Sequence, residues 1–149
     1  MRERRSLGMM QQLVAIQHAR REAAQAAVSA ATTAERDARR REEAARNEAL
    51  NAHQQWQDHV RQSGFSPEYG IGLSALVIER DRELDGARTE TERRSSIRKR
   101  EQRTWQELLS QARRSEDSAR RLKRRIERRA EERRLGQLND RITQGWFQR

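Results

Sequence analysis

The residues that break helices are confined to one short segment of this chain. Pro67, the only proline, stands with three of the seven glycines between residues 63 and 72. On either side run long arms rich in Ala, Arg, Glu, Gln and Leu, which favour the helical backbone. The segment 63–72 therefore predicts a turn between a first helix over about 3–62 and a second helix over about 73–142.

The composition excludes a large globular core. Hydrophobic residues make up 33% of the 149 residues, aromatic residues 4% and charged residues 38%. A chain this polar is either disordered or helical with one narrow apolar seam, and the helix-forming arms favour the seam. A helix of about sixty residues is on the order of 90 Å long and has to lie against another helix. We therefore expect a single all-α domain over 1–149, a monomeric, long antiparallel two-helix coiled-coil hairpin.

Steps of four and three residues define the predicted seam. In the first arm they select Met10, Val14, Gln17, Arg21, Ala24, Val28, Ala31, Glu35, Ala38, Glu42, Ala45, Ala49, Ala52 and Trp56. In the second arm they select Leu73, Val77, Arg80, Leu84, Ala87, Thr91 and Arg94, and then, after a predicted shift near Ile97, Glu101, Trp105, Leu108, Ala112, Ser115, Ala119, Leu122 and Ile126.

Folding the chain about the predicted turn sets small seam residues against large ones. Paired positions then sum to about 136, so that Ala52 faces Leu84 and Val14 faces Leu122. Trp56 and Trp105 both fall on seam positions, and we expect both to pack there. Residues 136–149 overhang the start of the first arm.

The net charge of +10 is concentrated in the second half of the chain. It is densest over 113–134, where 11 basic groups face 5 acidic ones. Many charges are spaced for pairing within one helix, as Glu35 and Arg39 are. The surplus arginines indicate an acidic partner. Two alternatives to a protein-coupling role remain open, a basic coiled-coil scaffold and a nucleic-acid-binding protein that contacts phosphates through 113–134.

The sequence offers no constellation for catalysis. His18, His53 and His59 lack the spacing of metal ligands on one helical face, and we expect them to face solvent. No phosphate-binding or dinucleotide-binding loop is present. We predict a non-enzymatic protein with no catalytic, cofactor-binding or metal-binding residues and no specific nucleic acid. The lack of cysteine, of a long apolar stretch and of a secretory signal predicts a cytoplasmic location.

Three segments carry a resemblance to a known family. They are 13–24 (LVAIQHARREAA), 72–78 (GLSALVI) and 131–140 (EERRLGQLND). With two long charged helices, they make the chain similar to the FliJ/YscO family, the central stalk proteins of type III export ATPases. The resemblance implies an antiparallel hairpin that links a hexameric export ATPase to the membrane export gate of a flagellar or injectisome system. It places the protein at the periphery of the inner-membrane export apparatus, with export chaperones as further candidate partners.

The resemblance also assigns residues to the two partners. Export-gate contacts near the turn fall on Ile71, Leu73, Leu76, Val77 and Ile78, of which Leu76 and Ile78 are the least easily absorbed by one seam. ATPase contacts fall on Leu7, Met10, Leu13, Leu135 and Leu138, and the arginine surplus adds Arg124, Arg125, Arg128 and Arg129. The chain departs from the family in lacking an aromatic residue near Leu73 and in its arginine-rich second arm.

Overall fold

Two long α-helices make up the described part of the chain. The structure, a computed structural model, describes residues 2–64 and 66–147, with side chains described for 5–64 and 66–144. Helix α1 is Arg2–Arg61 and helix α2 is Pro67–Phe147. The two helices pack against each other, and the described residues contain no strand. The predicted fold class, an all-α two-helix hairpin, is confirmed.

The connection between the helices is shorter than the sequence predicted. Helix α2 begins at Pro67, six residues before the predicted start, so the prediction of a turn over 63–72 is too long. Ser66 caps the helix, because its Oγ accepts a hydrogen bond of 3.4 Å from the backbone N–H of Tyr69. Pro67 suits the first helical position, which needs no N–H donor. Phe65, inside the predicted turn, lies outside the described residues.

Both helices also end close to where the turn and the overhang were predicted. Helix α1 ends at Arg61, where the N–H of Gln62 donates to the carbonyl of His59 over 3.3 Å. Helix α2 continues to Phe147, five residues beyond the predicted end. Gln148 and Arg149, the last residues of the predicted overhang, lie outside the described residues.

The chain divides into two compact units. The terminal unit consists of Met1–Ala24 and Trp105–Arg149, and the turn unit is Gln25–Thr104. In the turn unit, the seam buries Ala38, Ala49, Ala52, Leu73 and Leu84 together with Glu35 and His59. These are positions that the four-three pattern predicted, except His59, which continues the same heptad.

Trp56 is the exception among the predicted seam residues of the turn unit. It is 38% exposed, so the prediction that it packs within the seam is wrong. Its neighbours at the preceding seam positions, Ala49 and Ala52, are each only 3% exposed. The large ring therefore lies at the edge of the seam.

In the terminal unit, the seam is thinner. Ala24 and Ala112 are buried, while Val14, Trp105 and Leu122 are half-buried. Trp105 thus occupies the seam as predicted. Every described side chain from 131 to 144 is exposed, so this part of α2 packs against nothing that the structure describes.

The seam of α2 runs without interruption, and the predicted shift near Ile97 is wrong. Alternating steps of four and three pass from Arg94 to Arg98 to Glu101, and every seam position from Leu73 to Ile126 is buried or half-buried. The heptad is hard to recognise in the sequence at this point, because a charged residue, Arg98, occupies the seam position. In the structure Arg98 donates a hydrogen bond to Glu35, which lies on the seam of α1.

Two ion pairs and two histidine–carboxylate contacts connect the helices and mark the register of the hairpin. They join His18 to Glu116, Glu35 to Arg98, Glu48 to Arg80 and His53 to Asp81. Each partner on α2 lies two to eight residues earlier than pairing to a sum of 136 predicts. The predicted register is therefore displaced, because the chain folds back between Arg61 and Pro67 and not at the middle of 63–72.

Candidate protein-binding surfaces

The buried carboxylate of the seam is fully engaged in structural pairing. Glu35 is buried and accepts a hydrogen bond of 2.7 Å from Arg39, one turn later on α1, and another from Arg98 on α2. The hydrogen bond from Arg39 lowers the pKa of Glu35, burial acts in the opposite direction, and Arg98 lowers it further. The contact between Glu35 and Arg98 links the two helices.

The prediction that the histidines face solvent is wrong for His59, which is buried. The side chains of His18 and His53 are 37% and 45% exposed, and each contacts a carboxylate on α2. Nε2 of His18 lies 2.7 Å from a carboxylate oxygen of Glu116, and Nε2 of His53 lies 3.1 Å from Asp81. His59 is buried, donates to the carbonyl of Ser66 over 3.0 Å and packs edge-on against Tyr69 at 4.9 Å between ring centroids. The described residues contain no group of three or more His, Asp or Glu that could hold a metal ion.

Near the turn, an apolar stripe lies on the outside of α2. Ile71 is 70% exposed and Ile78 is 53% exposed. The two residues are seven positions apart, with exposed Ala75 between them, so they share one face of the helix. We call Ile71, Ala75 and Ile78 the turn stripe. Its apolar side chains are open to a partner.

The other three residues assigned to the export gate lie closer to the hairpin interior. Leu73 is only 6% exposed and packs in the seam, as its seam position predicted, so it presents little surface to a partner. Leu76 and Val77 are half-buried at the flank of the seam. Tyr69, which the sequence reasoning missed, is 60% exposed. Its signal was hidden because the predicted turn, and not a helix, covered residue 69.

A second apolar stripe lies near the start of α1. Leu13 is exposed, as a binding role requires, and Met9 and Ile16 are exposed at i−4 and i+3 from it. Leu7 and Met10, also assigned to the ATPase, are half-buried on the seam side. The sequence analysis did not select Met9 and Ile16, because it considered the seam positions Met10 and Gln17 beside them, which are half-buried.

The end of α2 carries a third apolar stripe. Leu135 and Leu138 are exposed, and Ile142 is exposed beside them with i, i+3, i+7 spacing. We call Leu135, Leu138 and Ile142 the tail stripe. Immediately before it, an open groove on α2 is lined by five arginines and one acid, namely Arg121, Arg124, Arg125, Arg128, Arg129 and Glu132. All four arginines assigned from the sequence thus lie together on the surface.

These features define a class, an all-α two-helix coiled-coil hairpin with exposed apolar stripes in both units. Within the described part of the chain, neither helix has a stretch long and apolar enough to cross a lipid bilayer. No family model, no curated protein and no solved structure matches this chain. The similarity to the FliJ/YscO family accordingly stays a prediction from the sequence segments that carry it.

Proposed function

We propose that this protein is a non-enzymatic stalk of a type III protein export apparatus, which couples a hexameric export ATPase to the membrane export gate. The observation that supports this most is the exposure of apolar residues off the seam in both units, at Leu13, at the tail stripe and at the turn stripe. Exposed stripes with helical spacing are typical of protein-binding faces. The FliJ/YscO-like segments at 13–24, 72–78 and 131–140 overlap with those stripes.

The terminal unit is the ATPase-binding part in this proposal. Leu13, with Met9 and Ile16, offers one apolar contact on α1, and Leu135 and Leu138 offer another on α2. Arg124, Arg125, Arg128 and Arg129 add positive charge that favours an acidic surface on the ATPase and speeds association. Leu7 and Met10 act indirectly by packing the seam beneath.

The turn unit is the gate-binding part. Ile71 and Ile78 contact the gate protein, with Leu76 and Val77 at the edge of that contact. Leu73 supports the stripe from within the seam. Such a stalk transmits force or position between partners and needs no reactive group of its own. It would work in the cytoplasm, peripherally associated with the inner-membrane export apparatus, and export chaperones are additional candidate partners.

Export measured in cells tests the turn-unit half of this proposal. A strain that lacks the gene is complemented with the wild-type chain, with Ile71→Ser/Ile78→Ser, or with the control Leu50→Ser. Leu50 is also exposed and apolar in the turn unit but lies outside the stripe. We expect the double variant to lower the amount of secreted substrate roughly tenfold, since two apolar contacts are lost from one interface. The control should export normally.

Equal export by the wild type and the double variant would contradict the assignment of the turn stripe. Circular dichroism and cellular abundance of each variant are measured alongside. Because Ile71 and Ile78 are exposed, their replacement should change helix content little.

A further inference from the structure

A second heptad stripe runs along α2, separate from the seam of the hairpin. Steps of three and four residues connect Arg121, Arg124, Arg128, Glu131, Leu135, Leu138 and Ile142, and every one of these side chains is exposed. The stripe is offset by two residues from the seam positions Ala119, Leu122 and Ile126, so it points away from α1. We call these seven residues the outer stripe.

The outer stripe has two halves of different chemistry. The first contributes three arginines at heptad positions, and none of the three makes an ion pair with any residue that the structure describes. The second contributes the three large apolar side chains of the tail stripe, spaced i, i+3, i+7. From Arg121 to Ile142 the stripe is about 32 Å long at 1.5 Å per residue, which matches three heptads of a partner helix.

We infer that the outer stripe docks an amphipathic helix of another polypeptide, acidic where it meets Arg121, Arg124 and Arg128 and apolar where it meets Leu135, Leu138 and Ile142. The four-three spacing is that of helices packing side by side. Burial of the apolar half supplies affinity, and the charged half fixes the register and the direction of the partner helix.

Other occupants fit the outer stripe less well. A second copy of this chain would bring a net charge of +10, and two chains of that charge repel each other. A nucleic acid would use the arginines but leave the three apolar residues in water. A helix that lies in a bilayer surface carries its apolar side chains along its whole length, whereas here they are confined to the second half of the stripe. An acidic, apolar helix satisfies both halves.

The inference rests on the proposed function for the identity of the partner protein, since the stripe includes arginines and leucines of the ATPase-binding surface. The acidic and apolar character of the docked helix does not depend on the proposed function. A test without any ATPase therefore distinguishes the two. If the chain binds the peptide but not the ATPase, the helix-docking site is supported and the proposed stalk function is contradicted. If the chain binds the ATPase but not the peptide, only the helix-docking site is contradicted.

The test uses a designed, fluorescently labelled helical peptide of about 24 residues with glutamates in the first half and leucines in the second half of one heptad stripe. A control peptide has the same composition, but its leucines stand on the face opposite its glutamates. Binding to the full chain is followed by fluorescence anisotropy. We expect the first peptide to bind at least tenfold more tightly than the control.

Variants of the chain then locate the site. Arg121→Gln/Arg124→Gln/Arg128→Gln should weaken peptide binding roughly tenfold, as should Leu135→Ser/Leu138→Ser. The matched control Arg40→Gln/Arg82→Gln/Arg103→Gln removes the same charge from exposed arginines elsewhere and should leave binding nearly unchanged.

Two results would overturn the inference. One is that the two peptides bind equally tightly, or that the two triple arginine variants lose the same amount of peptide affinity, because binding would then depend on net charge alone. The other is failure of the peptide to bind the folded chain. If an oligonucleotide or a phosphatidylglycerol vesicle then binds in a manner that needs the three arginines but not the apolar residues, the surface is assigned to a phosphate ligand.

Discussion

At the scale of single residues, Glu35 and Arg98 place an ion pair inside a seam whose α1 side is rich in alanine. Alanine buries little area, so these small side chains alone specify the alignment of the helices weakly. A buried carboxylate that must meet Arg98 penalises other registers, because displacement would leave a charge without its partner. The sequence predicted the local pair of Glu35 with Arg39, but Arg98 is 63 residues away and its role required the register.

The lowered pKa of Glu35 predicts a pH dependence of stability. A carboxyl whose folded pKa lies below its unfolded pKa stabilises the fold fully above the unfolded value, near 4.5, and that stabilisation is lost as pH falls through the folded pKa. Between pH 6 and pH 3, the free energy of unfolding should therefore fall more for the wild type than for Glu35→Gln. At pH 7, Glu35→Gln should destabilise the protein by about 1–3 kcal/mol, since Arg98 loses a charged acceptor.

Urea denaturation at several pH values measures this difference. Glu43→Gln is the control, because Glu43 is exposed and makes no ion pair among the described residues. Parallel pH profiles for the wild type and Glu35→Gln would show that this carboxyl does not contribute as proposed.

At the scale of elements, the beginning of α2 decides what the molecule presents near the turn. Glycines at 70 and 72 led the sequence analysis to end the turn at 72, yet Ser66 and Pro67 start the helix earlier. Capping by serine stabilises a helix start by about 1 kcal/mol, which offsets the cost of a glycine in the first turns. Sequence patterns contain both signals, but only packing of Leu73 and His59 into the seam decides between them.

Replacing Gly72 with alanine tests this helix start. No atom lies within 4 Å of the position that a Cβ at residue 72 would take, and its φ angle is not positive. In a helix, Gly72→Ala should therefore raise the free energy of unfolding by about 0.5–1 kcal/mol, through the higher helix propensity of alanine. Thermal unfolding followed by circular dichroism measures the change. Destabilisation would indicate that residue 72 belongs to a turn, as the sequence alone suggested.

At the scale of the whole molecule, the two-helix hairpin followed from the sequence because one turn separates two arms with matching heptads. The exposed apolar surfaces were predicted only in part. Leu135, Leu138 and Ile78 are exposed as expected, whereas Leu73 is buried, and Met9, Ile16 and Tyr69 were missed. Which side chains of α2 are exposed near the turn depends on where α2 begins and on the register in which it pairs with α1. That register differs from the predicted one by a few residues. A heptad pattern fixes neither of these, since both depend on where the chain folds back.

The proposed coupling role makes a prediction that separates the two units. Binding of an export ATPase belongs to the terminal unit, so Leu135→Ser/Leu138→Ser should weaken it, while Ile71→Ser/Ile78→Ser should not. All four side chains are exposed, so both double variants should remain folded.

ATP hydrolysis by the export ATPase of the same organism, measured as a function of added hairpin, tests this most directly. The wild type and Ile71→Ser/Ile78→Ser should stimulate hydrolysis at the same concentration of hairpin. Leu135→Ser/Leu138→Ser should require roughly tenfold more, because two apolar contacts of one interface are lost. Failure of the folded wild-type chain to bind or stimulate the ATPase, or equal impairment by both double variants, would contradict the account.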